Sequence, residues 1–222
     1  MTAGHSDAAL VLGGQLFDIR YQQDRLGELA DVVRANVDAM PHMPLHRAVL
    51  AWIYTETDRL AEAREIVDGL RGHGFEDRFT WTWDGYVVCL TMAAVALGDR
   101  VTAAMLYDRL RPLAEQVRVS AVISGCGGSY SRHCGLLASC LGRCEDAERH
   151  FADTIAMNER LGARPWNVRT RRSYAEMLID RNAPGDAARA RDLIAAGRAE
   201  AEQLGMAREL VRFERLSARL PA

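Results

Sequence analysis

Apolar residues recur along this chain in helical steps rather than in alternation. Between residues 6 and 23, Ala9, Leu10, Leu12, Leu16, Phe17 and Ile19 follow the three-to-four spacing of an amphipathic helix. Leu26–Ala39 carries Leu29, Val32, Val33 and Val37 on one stripe, and Pro41 and Pro44 then break the chain. The same reading predicts helices over Leu45–Thr57, Leu60–Arg71, Trp81–Leu97, Val101–Gln116, Tyr130–Leu141, Glu145–Leu161, Pro165–Arg181, Ala187–Leu204 and Met206–Leu220. Gly72 and Gly74 end the fourth helix, and Phe75–Thr80 is a loop. Asp99 is placed to cap the helix that follows it, and Pro112 to bend or shorten that helix. Val117–Gly128, with Gly125, Gly127 and Gly128, reads as the longest loop. No segment sustains strand alternation, so the expected fold class is all-α.

The boundaries repeat as well. Asp24-Arg25-Leu26-Gly27-Glu28-Leu29 returns thirty-four residues later as Asp58-Arg59-Leu60-Ala61-Glu62-Ala63, the tetratricopeptide period. Looser copies are Leu97-Gly98-Asp99, Leu141-Gly142-Arg143 and Pro184-Gly185-Asp186. In that grammar a small residue in the first helix and another in the second let helices and hairpins approach closely. Ala51 with Ala63, Gly135 with Ala147 and, more loosely, Thr91 with Ala103 fill those places, and Val67, Tyr107 and Phe151 are the bulky partners. The expectation is a single domain over residues 1–222, a tetratricopeptide-like right-handed superhelix of about five hairpins, with 206–220 as a terminal capping helix.

Composition narrows the picture. Lys+Arg of 28 against Asp+Glu of 30 gives a net charge of −2, so no bulk attraction to nucleic acid or acidic membrane follows. The longest apolar stretch, Gly85–Gly98, is shorter than the roughly 20 residues a bilayer requires. No positive segment precedes the mildly apolar Ala8–Gly14, and the five cysteines are odd in number. A cytoplasmic protein with reduced thiols is expected.

The second half carries a resemblance. Gly162-Ala163-Arg164-Pro165-Trp166, Arg169-Thr170, Tyr174-Ala175, Met177-Leu178, Arg181, Pro184-Gly185-Asp186 and Leu204-Gly205-Met206 are its most specific residues. With Leu97-Gly98-Asp99 and Asp146-Ala147 through Asn158-Glu159-Arg160, they resemble the C-terminal tetratricopeptide-like region of large bacterial ATPase regulators. Those proteins carry LuxR-type DNA-binding or adenylate/guanylate cyclase-like domains. The resemblance implies a sensor or scaffold module that controls ATPase, cyclase or DNA-binding partners. No Gly-x-x-x-x-Gly-Lys-Ser/Thr phosphate loop, cyclase segment or helix-turn-helix reader is visible, so those activities do not transfer.

Several groups invite chemistry. Cys126, His133, Cys134, Cys140 and Cys144 cluster in sequence, but their spacing fits no zinc pattern and helix packing is the plainer reading. Gly125-Cys126-Gly127-Gly128-Ser129 precedes a helix without the lysine a phosphate site needs. His42 and His46 flank Pro44 and read as surface or turn residues. Trp81, Trp83 and Trp166 sit at helix starts, as packing aromatics do. Arg164, Arg169, Arg171 and Arg172 form the densest basic cluster, with Arg172–Glu176 at i,i+4 spacing. If the first helices line a concave face, Trp52, Thr55, Glu56, Met92, Arg132, Ser139, Arg169, Arg172 and Glu176 point into it. That candidate groove suits an acidic peptide or a partner's helix. No nucleophile with its base and no metal or cofactor set is expected. The alternative is a small-effector sensor.

Overall fold

The computed structural model describes residues 3–71, 82–120 and 125–220. The expected end at Gly72 and Gly74, the loop Phe75–Thr80 and the helix start at Trp81 lie outside the described residues. The helices are α1 (Ala3–Gln22), α2 (Ala30–Ala39), α3 (Pro44–Glu56), α4 (Leu60–Arg71), α5 (Trp83–Ala96) and α6 (Arg100–Leu110), then α7 (Tyr130–Cys140), α8 (Cys144–Leu161), α9 (Arg164–Arg181), α10 (Asp186–Gln203) and α11 (Ala207–Ser217). Short 3-10 turns, Leu26–Leu29 and Arg111–Leu113, stand where α2 was expected to begin and α6 to continue. The second contains Pro112, whose missing amide ends the helix.

The segment read as a loop is corrected. β1 (Val117–Ser120) pairs with β2 (Gly125–Ser129). Val117-Arg118-Val119-Ser120 does alternate, but over a run too short to stand out in the sequence. The glycines of β2 make room for Arg118: a Cβ at Gly127 would lie 2.4 Å from its Nε. Arg118 is buried and pairs with Asp84 of α5 at 3.0 Å.

The repeated phrase is a helix-ending turn. Asp24 and Asp58, which open its two clearest copies, both adopt left-handed backbone, with φ of 60° and 58°. Gly98, Gly142, Gly162 and Gly205 do so too. In each case the next residue donates its N–H to the carbonyl five residues back, from Arg25 to Arg20, Arg59 to Tyr54, Asp99 to Ala94, Arg143 to Ala138, Ala163 to Asn158 and Met206 to Ala201, at 2.8–2.9 Å. This Schellman bond satisfies a carbonyl left open at the helix end and turns the chain sharply. Asp99 then caps α6 by accepting from the N–H groups of Val101 and Thr102 at 3.1 and 3.2 Å.

Chain contacts gather into two compact units, Met1–Arg109 with Arg118–Gly127, and Leu110–Val117 with Gly128–Ala222. In the first, α3 packs on α2, α4 and α5. In the second, α7 packs on α8 and α9, and α9 on α8, α10 and α11. Next-but-one packing joins α3 to α5, α7 to α9 and α9 to α11. The small joints are buried: Ala51, Ala63, Thr91, Ala103, Ala147 and Ala190 have no exposed surface. At Gly135 a Cβ would lie 2.7 Å from the Phe151 ring, and at Gly197 2.3 Å from that of Phe213. Both glycines are therefore sites of close helix approach.

Candidate functional site

The seven principal groove candidates fall into two sets, one in each unit. In the first unit Trp52 projects from α3 and is buried. Phe17 and Tyr21 of α1 pack on its ring at centroid distances of 5.1 and 4.9 Å, and its Nε1 donates to Glu56 Oε1 at 3.2 Å. Trp52 is thus an anchor for α1. Glu56 and Met92 of α5 are half-buried.

The second set is denser. Arg132 of α7 and Arg169 of α9 are each 2 % exposed. Their guanidinium carbons lie 5.9 and 5.1 Å from the centroid of the Trp166 ring. A cation over an aromatic face is attracted by the ring's quadrupole, which helps offset its desolvation. Gly128 lies against the other elements of this ring, where a Cβ would stand 3.1 Å away. One turn along α9, Arg172 donates from Nε to Glu209 Oε2 of α11 at 2.8 Å, while Arg169 and Arg212 stand 3.8 and 3.7 Å from Glu209 Oε1. Burial pushes the Glu209 carboxyl upward, but Arg172, Arg212 and Arg169 outweigh it and hold it below the usual range. Glu176, exposed at its edge, meets Arg172 at 3.5 Å in the expected i,i+4 pair and Arg219 at 3.6 Å. Ser139 is half-buried on α7.

The other arginines of this region are also tied to neighbouring helices. Arg164 and Arg171 of α9 both pair with Glu200 of α10, and Arg181 and Arg189 converge on Glu148 of α8. Arg181 further holds Asp186 in a bidentate pair, which keeps that carboxyl depressed. Glu209, Glu200 and Glu148 carried no sequence signal of their own. Each is one acid in an amphipathic helix, and its partners lie up to 41 residues away.

His46 requires correction. It lies within α3 and is buried, and burial lowers its pKa against a backbone bond to Asn36 that raises it. His42 is exposed, as expected. Ser131 Oγ lies 3.0 Å from His150 Nδ1, but both are buried, and the same hydroxyl also bonds the His150 carbonyl at 3.1 Å. Burial likewise lowers the His150 pKa. This buried pair joins α7 to α8. Cys89 and Cys134 are buried, and burial pushes each thiol up to about 12, the condition of an inert packing group. Cys140 and Cys144 are half-buried, and the side chain of Cys126 lies outside the described residues. Among the described residues no three His, Cys, Asp or Glu side chains gather as a metal set, and no helix is long and apolar enough to cross a membrane.

Two open hollows lie in the second unit. One of about 450 Å³ is lined by Leu178, Ile179, Asp180, Ala187, Arg219 and Leu220. The other, of about 410 Å³ between α10 and α11, is lined by Ile194, Ala195, Arg198, Ala199, Ser217 and Leu220. Neither takes in any of the seven candidates.

Comparison with known proteins returns no matching family model, no matching curated relative and no matching solved structure.

Proposed function

We propose that this chain is a non-catalytic protein-interaction and regulatory module, a tetratricopeptide-like stack of helical hairpins that binds a partner peptide or domain. The observation that carries this reading is the use made of its charges. Arg164, Arg169, Arg171, Arg172, Arg181 and Arg189 are spent on carboxylates of neighbouring helices, where they hold the stack together. Groups so committed are not poised for acid–base or nucleophilic chemistry, which calls for a base aimed at a reacting atom in a cleft. The larger hollow adds support. It is open, and its lining mixes Leu178, Ile179, Ala187 and Leu220 with Asp180, Asn182 and Arg219, a surface that suits a peptide with both apolar and polar side chains. The resemblance to regulator modules points the same way, towards ATPase, cyclase or DNA-binding partners.

A second reading, an effector-sensing module, draws on one specific feature. Arg132 and Arg169 are both buried against Trp166, a cationic and aromatic setting that suits a small carboxylate or phosphate.

The test places a photo-crosslinking residue at Glu176, beside that hollow, and at Arg149 of α8 as a control. Arg149 is exposed and pairs with Asp146 on its own helix. Arg169 and Glu209 are unsuitable positions, because substitution there attacks the packing. A discrete protein adduct at Glu176 and not at Arg149, formed in lysate of the source cells, supports the interaction module. No adduct at Glu176, with a small molecule co-purifying in native mass spectrometry, would replace it with the sensor.

A further inference from the structure

We infer that α10 and α11 form a seat for one helix of a partner protein, an amphipathic helix with acidic residues in its first half and basic residues in its second. The second unit repeats itself with a step of forty-three residues. Gly162 and Gly205 stop α8 and α10 with φ of 64° and 67°. Arg164 and Ala207 then donate their N–H groups to the carbonyls of these glycines at 2.9 and 3.0 Å, so α9 and α11 leave the turn alike. The buried Ala147, Phe151, Thr154 and Asn158 of α8 recur at the same step in α10 as Ala190, Ile194, Gly197 and Ala201, also buried. The pair α10–α11 thus reproduces the pair α8–α9.

The first pair shows what such a pair receives. Along α9 packs α10, whose Glu200 takes both Arg164 and Arg171. Those arginines share a stripe of α9 with Val168 and Ala175, which have no exposed surface. At the other end of this seat Glu148 of α8 takes Arg189 of α10. On α11 the same stripe is Ala207, Val211, Glu214 and Ala218. All four are exposed, Val211 to 47 % where Val168 is fully covered. The hollow of about 410 Å³ between α10 and α11 belongs to the same seat. Arg191 and Glu202 on its lining stand where α8 places Glu148 and Glu159, which reach Arg189 of α10 and Arg171 of α9. What the fold lays on the first pair is a helix, and the second pair offers the same surface.

Charge selects the occupant. Between the two seats the signs invert, with Arg191 in the place of Glu148 and Glu214 in the place of Arg171. An early Arg189 and a late Glu200 fit α10 to the first seat. A helix lying the same way on the second needs an acid near Arg191 and a base near Glu214. That polarity agrees with the helix dipole, which favours acids in the first turn and bases in the last. The α10 helix of a second copy does not qualify. Its Arg189 would meet Arg191 and its Glu200 would meet Glu214, like charges at both ends.

Fluorescence anisotropy with two labelled peptides tests the seat on the full chain. One has the sequence of α10, Asp186–Gln203, and the other carries Arg189→Glu and Glu200→Arg. The exchanged peptide should bind saturably and about tenfold tighter than the unchanged one. Val211→Glu in the chain should weaken that binding about tenfold, and Glu214→Arg should remove the preference between the peptides. Both positions are exposed, and circular dichroism checks that the variants stay folded. No saturable binding, equal affinity for the two peptides, or indifference to Val211→Glu overturns the inference. So does a wild-type dimer in sedimentation equilibrium that Val211→Glu dissociates, which would give the seat to a second copy. The inference rests on the interaction-module reading, and the two tests fail separately. A protein adduct at Glu176 without peptide binding removes the seat alone, while saturable peptide binding supports the seat whether or not Glu176 forms an adduct.

Discussion

The two units share a grammar of turns and differ in what fills their central helices. In the first, α3 and α5 bury Leu45, Ala48, Leu50, Ile53, Val87, Val88 and Leu90, and only His46 and Thr91 interrupt them with a polar atom among the non-aromatic residues. In the second, the buried positions of α7 and α9 include Ser131, Arg132, His133, Asn167, Arg169, Thr170 and Ser173. The central helices α3 and α5 are held mainly by surface removed from water, which is non-directional and tolerant of small shifts, while paired charges of the first unit such as Arg118–Asp84 and Arg71–Asp99 draw their arginines from β1 and α4. The second unit depends on particular partners at particular distances, because a buried charge without its counter-ion is strongly unfavourable. The same helical architecture thus accommodates two modes of cohesion, and they should fail under different stresses.

The sharpest way to break the comparison is Glu209→Gln. It removes the carboxylate that Arg169, Arg172 and Arg212 share and leaves buried guanidinium charge behind. The expected cost is about 3–5 kcal/mol in urea unfolding. Amide exchange should accelerate in α9 and α11 while α3 and α5 keep their protection. Equal loosening of α3 and α5 would show that the two units do not respond separately.

Ile53→Ala is the counterpart in the first unit. Ile53 is fully buried, and its truncation should cost about 2–5 kcal/mol. That loss should be the same at low and high salt. The effect of Glu209→Gln should also survive salt, since buried pairs are screened little, but exposed pairs such as Arg25–Glu28 should not matter to either unit.

Acid should separate the units by degree. His46 in the first and His150 in the second have pKa values lowered by burial, so the unfolded chain takes up their protons first. Stability contributed by the neutral rings is complete above the ordinary histidine value of about 6.5 and falls as pH drops through the folded values. His150→Gln should flatten that slope in equilibrium unfolding followed from pH 7.5 downwards. At lower pH the second unit loses more. Arg189 and Arg181 hold Glu148 down, Arg181 holds Asp186 down, and the arginines around Glu209 overcome its burial. Their contribution is present above about pH 4.3 and is lost as pH falls through the depressed values. In the first unit Asp99 behaves likewise, through Thr102 and Arg71 acting against its burial.

This difference also explains what could be read from the chain. Helix positions were legible in both units, because the period of apolar residues and the Gly or Asp that stops most of the helices are local signals. The joints Ala63, Ala147 and Gly135 followed from the repeat. The strands did not, since four alternating residues beside a glycine-rich stretch carry too little pattern. Nor did the setting of the arginines. Arg169 and Arg172 were readable as a basic cluster, but their depth depends on Glu209, roughly forty residues away on a helix whose own pattern only marks it as amphipathic. His46 differs from its surface reading for a related reason: Pro44, which the sequence presents as a break, begins α3 and carries His46 into the helix. Local periodicity reveals apolar cohesion, while pairwise cohesion is set by tertiary placement.

The smallest effect tests what the two units have in common. Gly98 ends α5 in the first unit and Gly162 ends α8 in the second, with φ of +63° and +64° and no atom within 4 Å of a built Cβ at either. Alanine at either site therefore meets no clash, and only the left-handed backbone opposes it. That strain is roughly 1–2 kcal/mol for a residue with a Cβ, and the stiffer unfolded chain returns about 0.5–1 kcal/mol of it. Gly98→Ala and Gly162→Ala should each cost about 1 kcal/mol in urea unfolding, with matching salt and pH dependence. Asp58, at φ of 58° in the equivalent turn, shows the converse, and Asp58→Gly should change stability by less than about 0.5 kcal/mol because relief of strain and added chain freedom nearly cancel. If the two glycine variants differed by more than the error of the measurement, the turns could not be treated as one device, and the contrast between the units would extend to their punctuation.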